Sequence, residues 1–217
     1  MSRVYQDRTE AGEVLADRLA GLANKPDVIV LGLVRGGVLV AAAIADRLNL
    51  PLDVLVVRKL GVPFAPEVAF GAMGPGGVKV LNEQLADRLD PDEINQVVQR
   101  ETAELQRREE LYRAGRGPLD LTGRTAVIAD DGLATGATAR AAVAVARQMG
   151  AKRVVVAVPV GSPDAYGMLA AEADEVICPD RPADFAAVGQ YYVDFHEVSD
   201  EEVTETLSAA TSARRPG

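Results

Sequence analysis

The sequence is poor in the residues that cross-link and stack. It has one cysteine, Cys178, one histidine, His196, no tryptophan, and an aromatic share of 4%. A lone cysteine makes no internal disulfide, which fits a reducing compartment, and Cys178 reads as a small apolar residue at a strand end. Positive charge is also short: 23 Lys and Arg against 32 Asp and Glu give a net charge of −9. That balance argues against a nucleic-acid surface, which needs clustered cations to displace counterions. A phosphorylated small ligand stays open, because a few local cations, backbone N–H groups and a divalent metal can hold one. Long apolar runs are missing; none approaches the ~18 residues of a membrane span. The stretch Met1 to Arg8 is polar and has no apolar signal segment, so the expectation is a soluble cytoplasmic protein.

What is present suits one α/β domain. A hydrophobic share of 48% over 217 residues supports a real core, and 25% charged residues argue against global disorder. Ala11, Val14, Leu15, Leu19 and Leu22 recur at helical spacing until Asn24-Lys25-Pro26 stops them. Val28 to Leu31 is a short continuous apolar run, the mark of a strand buried on both faces. It leads through Gly32-Leu33-Val34-Arg35-Gly36-Gly37 into a predicted helix over 38–48, then a β-like run over 52–57 ending at Arg58-Lys59. Residues 66–77 are rich in Gly and Pro and read as a mobile excursion or small β-ribbon rather than core. Asp90-Pro91-Asp92-Glu93 supplies an N-cap, a first-turn proline and a capping-box glutamate for a helix reaching Arg113, whose charge run is a solvated face. Further on, 125–129, 154–158 and 175–177 read as strands alternating with helices, which implies a parallel sheet with helices on both faces. A single domain over 1–208 is expected, with 209–217 as a flexible tail.

The chemistry concentrates after the strand at 125–129. Two adjacent carboxylates, Asp130 and Asp131, stand at its carboxyl end, followed by Gly132, Leu133, Ala134, Thr135, Gly136, Ala137 and Thr138 before a helix begins. Small residues let backbone wrap closely round a ligand. Their N–H groups, two threonine hydroxyls and the positive end of a helix dipole suit a phosphate dianion. The carboxylates would repel that phosphate, so they must face another part of the ligand, and the cis hydroxyls of a ribose fit an acceptor-only group. No G-x-G-x-x-G follows the first strand, which weakens a dinucleotide reading.

The segment 126–138 resembles the 5-phosphoribosyl-1-pyrophosphate (PRPP) motif of type I phosphoribosyltransferases, and the likeness spans roughly 28–195. The whole pattern is most similar to stand-alone phosphoribosyltransferase-domain proteins whose acceptor is not implied. The resemblance implies that Asp130 and Asp131 bind the ribose hydroxyls while 132–138 wrap the 5-phosphate. It makes Val34, Arg35, Gly36 and Gly37 the pyrophosphate loop, with a non-proline cis peptide near Val34–Arg35. Arg58 and Lys59 begin a flap over about 58–78, and about 178–200 form a C-terminal hood. In the hood, Phe185 takes the place of a base-stacking aromatic and Asp194 that of a carboxylate helping Asp130 and Asp131 hold Mg²⁺; core packing and plain solvation are the alternatives. His196 reads as a hood or surface residue.

By the same likeness Arg35, Lys59 and Asp131 carry catalysis, and the protein is a homodimer. Ala134 stands where 6-oxopurine enzymes have an aspartate and cannot act as an acid or base, while Gly132-Leu133-Ala134-Thr135-Gly136 is closer to adenine enzymes. The expected activity is transfer of 5-phosphoribosyl from PRPP to a nitrogen acceptor, a nucleobase by preference, with release of pyrophosphate. The alternative is a non-catalytic PRPP-binding regulatory protein on the same fold. A phosphosugar hydrolase lacks any recognisable nucleophile–base pair.

Overall fold

The structure is a computed structural model that describes residues 3–212. The chain runs α1 (Arg8–Arg18), a 3-10 turn (Ala20–Leu22), β1 (Val28–Leu33), α2 (Gly37–Leu48), β2 (Leu52–Leu55), β3 (Arg58–Val62), β4 (Ala65–Gly74), β5 (Val78–Leu81) and α3 (Glu83–Ala86). It continues through α4 (Pro91–Arg113), β6 (Thr125–Ala129), α5 (Ala137–Gln148), β7 (Arg153–Ala157), α6 (Pro163–Ala170), β8 (Glu175–Ile177) and α7 (Asp200–Ser212). Five strands form a parallel sheet in the order β2-β1-β6-β7-β8, and β3-β4-β5 form a separate antiparallel sheet.

The central strands β1 and β6 are buried at every position, with Thr125 the one polar side chain, because both faces are covered. On β6, Ala126 and Ile128 point into one half of the core and Val127 and Ala129 into the other. The first half is closed by α5 and α6, the second by α1, α2 and α7. Each fully buried Val, Leu or Ile contributes about 1.5–3 kcal/mol relative to exposure. The topology also locates a crevice. The helix after β1 packs on one face and the helix after β6 on the other, so the loops leaving these neighbouring strands diverge. Open α/β sheets bind ligands at such a point, beyond the carboxyl ends of the strands.

Three expectations change. The Gly/Pro-rich stretch is the β-ribbon of the two alternatives, but it is not outside the core: β4 carries Phe70 and Met73 fully buried, and its sheet continues through β5 to Leu81. The β-like run at 52–57 ends as a strand at Leu55. Local pattern did not point to α7, which runs through positions 209–212, where the tail was expected to start; it buries Val203 and Leu207. The remaining tail positions, 213–217, lie outside the described residues. Helix α4 has the predicted bounds, with the Asp90 carboxylate accepting from the Asp92 amide at its start. Its last residue, Arg113, grips Asp53 of β2 with two hydrogen bonds of 3.1 and 3.0 Å.

Candidate active site

The loop after β6 is tied down by its neighbours rather than by its own side chains. The Leu133 amide donates to the Val160 carbonyl and the Ser162 amide to the Leu133 carbonyl, both at 2.9 Å. Ser162 Oγ donates to the Ala134 carbonyl at 2.8 Å. Gly136, at φ 76°, turns the chain into α5 in a left-handed conformation that only glycine adopts cheaply. The result is a concavity of ≈ 150 Å³ lined by 132–139 with Asp130 and Val188. Backbone amides, two threonine hydroxyls and a helix start line this small bowl, a set that suits a phosphate.

Beside it stand the paired carboxylates. The Asp131 amide donates to Asp130 Oδ1 at 2.9 Å. Burial, together with the neighbouring Asp131 charge, lifts Asp130 well above the usual carboxylate range. Burial also raises Asp131, opposed by Arg8, whose Nε donates to Asp131 Oδ2 at 2.9 Å. Arg8 opens α1, is only 5% exposed, lies over the Phe195 ring and donates to the His196 carbonyl at 3.0 Å. Tyr192 OH donates to the Asp131 carbonyl at 2.7 Å, and Tyr5 OH donates to Asp180 at 2.8 Å. An aspartate pair so arranged accepts hydrogen bonds or a cation readily, since either relieves the repulsion.

Across the crevice, the Val34–Arg35 peptide is cis, as the family likeness implied. Gly36 lets this loop approach Asp131: a Cβ there would lie 2.0 Å from Asp131 Oδ2. Arg35 pairs with Glu197 at 2.6 Å. A larger cavity of ≈ 640 Å³ opens between Leu33, Val34, the strand β3 with Arg58 and Lys59, and helix α4. Arg58 Nε donates to Glu101 Oε2 of α4 at 2.8 Å. Thr138 lines both this cavity and the small bowl, so the two hollows adjoin at one threonine.

A phosphate-sized bowl, a carboxylate pair and a cation-lined cavity thus share one crevice. The family model described as the phosphoribosyl transferase domain matches residues 5–196. The chain belongs to this family. A Mycobacterium tuberculosis H37Rv protein provisionally named a phosphoribosyl transferase is 54% identical over 210 residues, 96% of this chain and 47% of its own length. Its counterpart in strain CDC 1551 gives the same identity and coverage. The chain therefore spans about half the length of the curated relatives it matches. The crystal structure of TT1426 from Thermus thermophilus is similar at a TM-score of 0.88 and 47% identity, covering 95% of this chain and 98% of that one.

The structure gathers most of the sequence candidates, but not all. Asp130, Asp131 and 132–138 form one continuous surface with Gly36 and Gly37 packed beside them. Asp194 does not join the pair: its carboxylate accepts from the His196 amide and faces His196 Nδ1, both at 3.1 Å. Among the described residues, no group of three or more His, Cys, Asp or Glu converges as a metal cluster. Phe185 stacks on Tyr191 with ring centroids 5.8 Å apart and planes 4° from parallel, so one of its faces is already used. His196 lies between Asp194 and Glu202, both of which raise its pKa. Sequence reasoning missed Arg8, Tyr192, Glu101 and Glu197. Tyr192 and Glu197 lie within the expected hood, where neither was singled out, whereas Arg8 and Glu101 come from helices given no site role; only the capped start of α1 at Asp7 could have drawn attention to Arg8.

Proposed function

We propose that the chain is a PRPP-dependent phosphoribosyltransferase that moves 5-phosphoribosyl to a nitrogen acceptor, a nucleobase by preference, and releases pyrophosphate. The observation that carries this reading is the junction at Thr138 of a phosphate-sized bowl and a cation-lined cavity, with Asp130 and Asp131 alongside. The threonine hydroxyls and the amides of 132–138, apart from the Leu133 amide already bonded to Val160, hold the 5-phosphate. Asp130 and Asp131 accept from the ribose hydroxyls and fix the ring. Arg35, Arg58 and Lys59 balance the diphosphate as the bond from the anomeric carbon to its oxygen breaks, the electron pair leaving with pyrophosphate. The bond to the acceptor nitrogen forms on the opposite side of that carbon while that nitrogen's proton passes to solvent or the departing pyrophosphate, and the open face of Phe185 stacks on a planar acceptor. The β3-β4-β5 sheet excludes water from the reacting centre.

Mg²⁺ binds through one or two carboxylates together with substrate phosphates and keeps several waters. Asp130 and Asp131 fit that demand as hard oxygen donors whose mutual repulsion a cation relieves, and Asp194 does not stand with them. When bound, Mg²⁺ supplies neutralisation of diphosphate charge. The same reading carries a homodimer in the cytoplasm, which sedimentation and fractionation test.

Titration of the chain with PRPP and Mg²⁺ tests the site. Asp131→Asn is expected to weaken binding about 100-fold, the scale of losing charge-assisted hydrogen bonds; unchanged affinity overturns the assignment. Pyrophosphate release across a panel of bases and amines then tests turnover. Tight binding with no release from any acceptor transfers the reading to a PRPP-binding regulatory protein.

A further inference from the structure

Helix α4 contributes no residue to the small bowl, yet it forms one wall of the ≈ 640 Å³ cavity. That wall is cationic in an acidic chain: among the described residues lining it, Arg58, Arg100 and Arg108 stand with Glu93 and Glu101, whereas the whole chain carries −9. Glu101 is the pivot. It is 7% exposed, and a buried carboxylate is tolerable only when paired. Its Oε2 accepts from Arg58 Nε at 2.8 Å and lies 2.6 Å from Arg58 Nη2. Its Oε1 accepts from Arg100 Nε at 3.1 Å. Two guanidinium groups on one carboxylate leave surplus positive charge. Among the described residues, Arg58 Nη1 and both terminal nitrogens of Arg100 have no hydrogen-bond partner. Arg108 is tied to Glu104 at 2.6 Å, and the far end of α4 is clamped to the main sheet by Arg113 and Asp53. Arg58 is thus held on a buried carboxylate, whereas Arg100 is anchored at its Nε alone and extends its outer nitrogens into the cavity mouth.

The geometry points to an oxyanion site shared between β3 and α4, in which Arg100 of the helix joins Arg58 of the strand on one phosphate or diphosphate group. Planar guanidinium forks with spare donors suit such groups, binding them in pairs of hydrogen bonds. The inference rests on the ribose-phosphate reading, since Val34 and Thr138 line the same cavity. It adds to that reading a binding residue supplied by α4. The oxyanion has two possible sources with one chemistry: the diphosphate released in transfer, or a separate phosphorylated molecule that binds while PRPP is in place.

Calorimetric titration of the full chain separates these. Inorganic pyrophosphate and ribose 5-phosphate, each with Mg²⁺, are titrated into wild type, Arg100→Ala and Arg100→Lys. The Arg100 side chain is 72% exposed, so both variants are expected to keep the wild-type melting temperature. If the diphosphate is the source, Arg100→Ala weakens pyrophosphate about tenfold and leaves ribose 5-phosphate unchanged. Arg100→Lys recovers only part, because it restores charge without the fork. If a separate molecule is the source, inorganic phosphate binds to protein saturated with PRPP and Arg100→Ala abolishes that binding. Arg100→Ala with wild-type affinity in both arms overturns the proposal, as does wild type that binds neither anion. Ribose 5-phosphate that fails to bind wild type would instead remove the cradle reading, with the pyrophosphate arm still deciding this one.

Discussion

The two halves of the crevice are built from different materials. The bowl at 132–139 is contiguous chain, shaped by main-chain hydrogen bonds and one left-handed glycine. The opposite wall is made of long side chains from the loop after β1, from β3, from α4 and from the hood. Fixed amide dipoles neither titrate nor swing, so the bowl keeps its shape and polarity without a ligand. The cations opposite start out engaged with carboxylates of the protein itself. Their strengths differ. Arg35 and Glu197 are 38% and 83% exposed along their side chains, and pairs of that kind contribute at most about 1 kcal/mol, so Arg35 is easily recruited by a ligand. Arg58 faces a Glu101 side chain that is only 9% exposed. A ligand there has to join the pair instead of breaking it. One half of the crevice is therefore fixed by backbone shape and the other by the arrangement of charge.

The largest test of that division is Asp53→Ala. Asp53 and Arg113 have side chains 12% and 9% exposed, and removing one partner of such a buried pair costs about 3–5 kcal/mol. For a chain of this size that lowers the melting temperature by roughly 6–20 °C. Pyrophosphate affinity of the folded protein should fall as α4 loosens, while ribose 5-phosphate affinity holds. Parallel losses of both would show that the two halves are one mechanical unit. Gly36→Ala strikes the other side. Its Cβ would lie 2.0 Å from Asp131 Oδ2 and 2.8 Å from Arg8 Nε, so the Arg8–Asp131 pair has to move. Displacements of about 1 Å at a positioning group cost ~100-fold, and ribose 5-phosphate titration should show a loss of that size. Full affinity in this variant would mean that the Asp131 position is not part of ribose recognition.

The same division explains what the sequence made readable. Contiguous features were legible: the strand bounds at 125–129, the Asp130-to-Thr138 loop, the cis Val34–Arg35 peptide implied by family likeness, and the whole of α4. Each rests on short-range rules of capping, apolar runs or motif spacing. The partners of those features were not legible. Glu101 lies 43 positions from Arg58, and Arg8 lies 123 from Asp131; only the folded topology brings them together. Helix α7 was missed because Asp200 to Ser208 has few apolar residues, and the two it buries, Val203 and Leu207, are a single i, i+4 step. The β4 strand was misjudged for a related reason. Its glycines and prolines pointed to an excursion or small β-ribbon outside the core; the ribbon forms, but Phe70 and Met73 are buried.

The smallest effect is expected at His196, which lines neither hollow. His196 Nδ1 lies 3.1 Å from Asp194 Oδ1, and Nε2 lies 3.1 and 3.2 Å from the two Glu202 oxygens. Asp194 first, then Glu202, raises the imidazole pKa in the folded protein, whereas the unfolded chain has the ordinary value near ~6.5. The folded state thus holds the proton more tightly. The stability this contributes is complete below the unfolded value and is lost as pH rises through the raised folded one. Solvent exposure keeps it small. Melting temperatures of wild type and Glu202→Gln, compared between pH 5 and pH 9, should differ most at the acid end and converge at the alkaline end; a constant gap would place the Glu202 contribution elsewhere than on the imidazole. Ribose 5-phosphate affinity should ignore this titration, because Arg8 meets His196 only at its backbone carbonyl. If affinity followed the imidazole instead, Arg8 would be relaying charge from the hood to Asp131, and the cradle would no longer be the self-contained half.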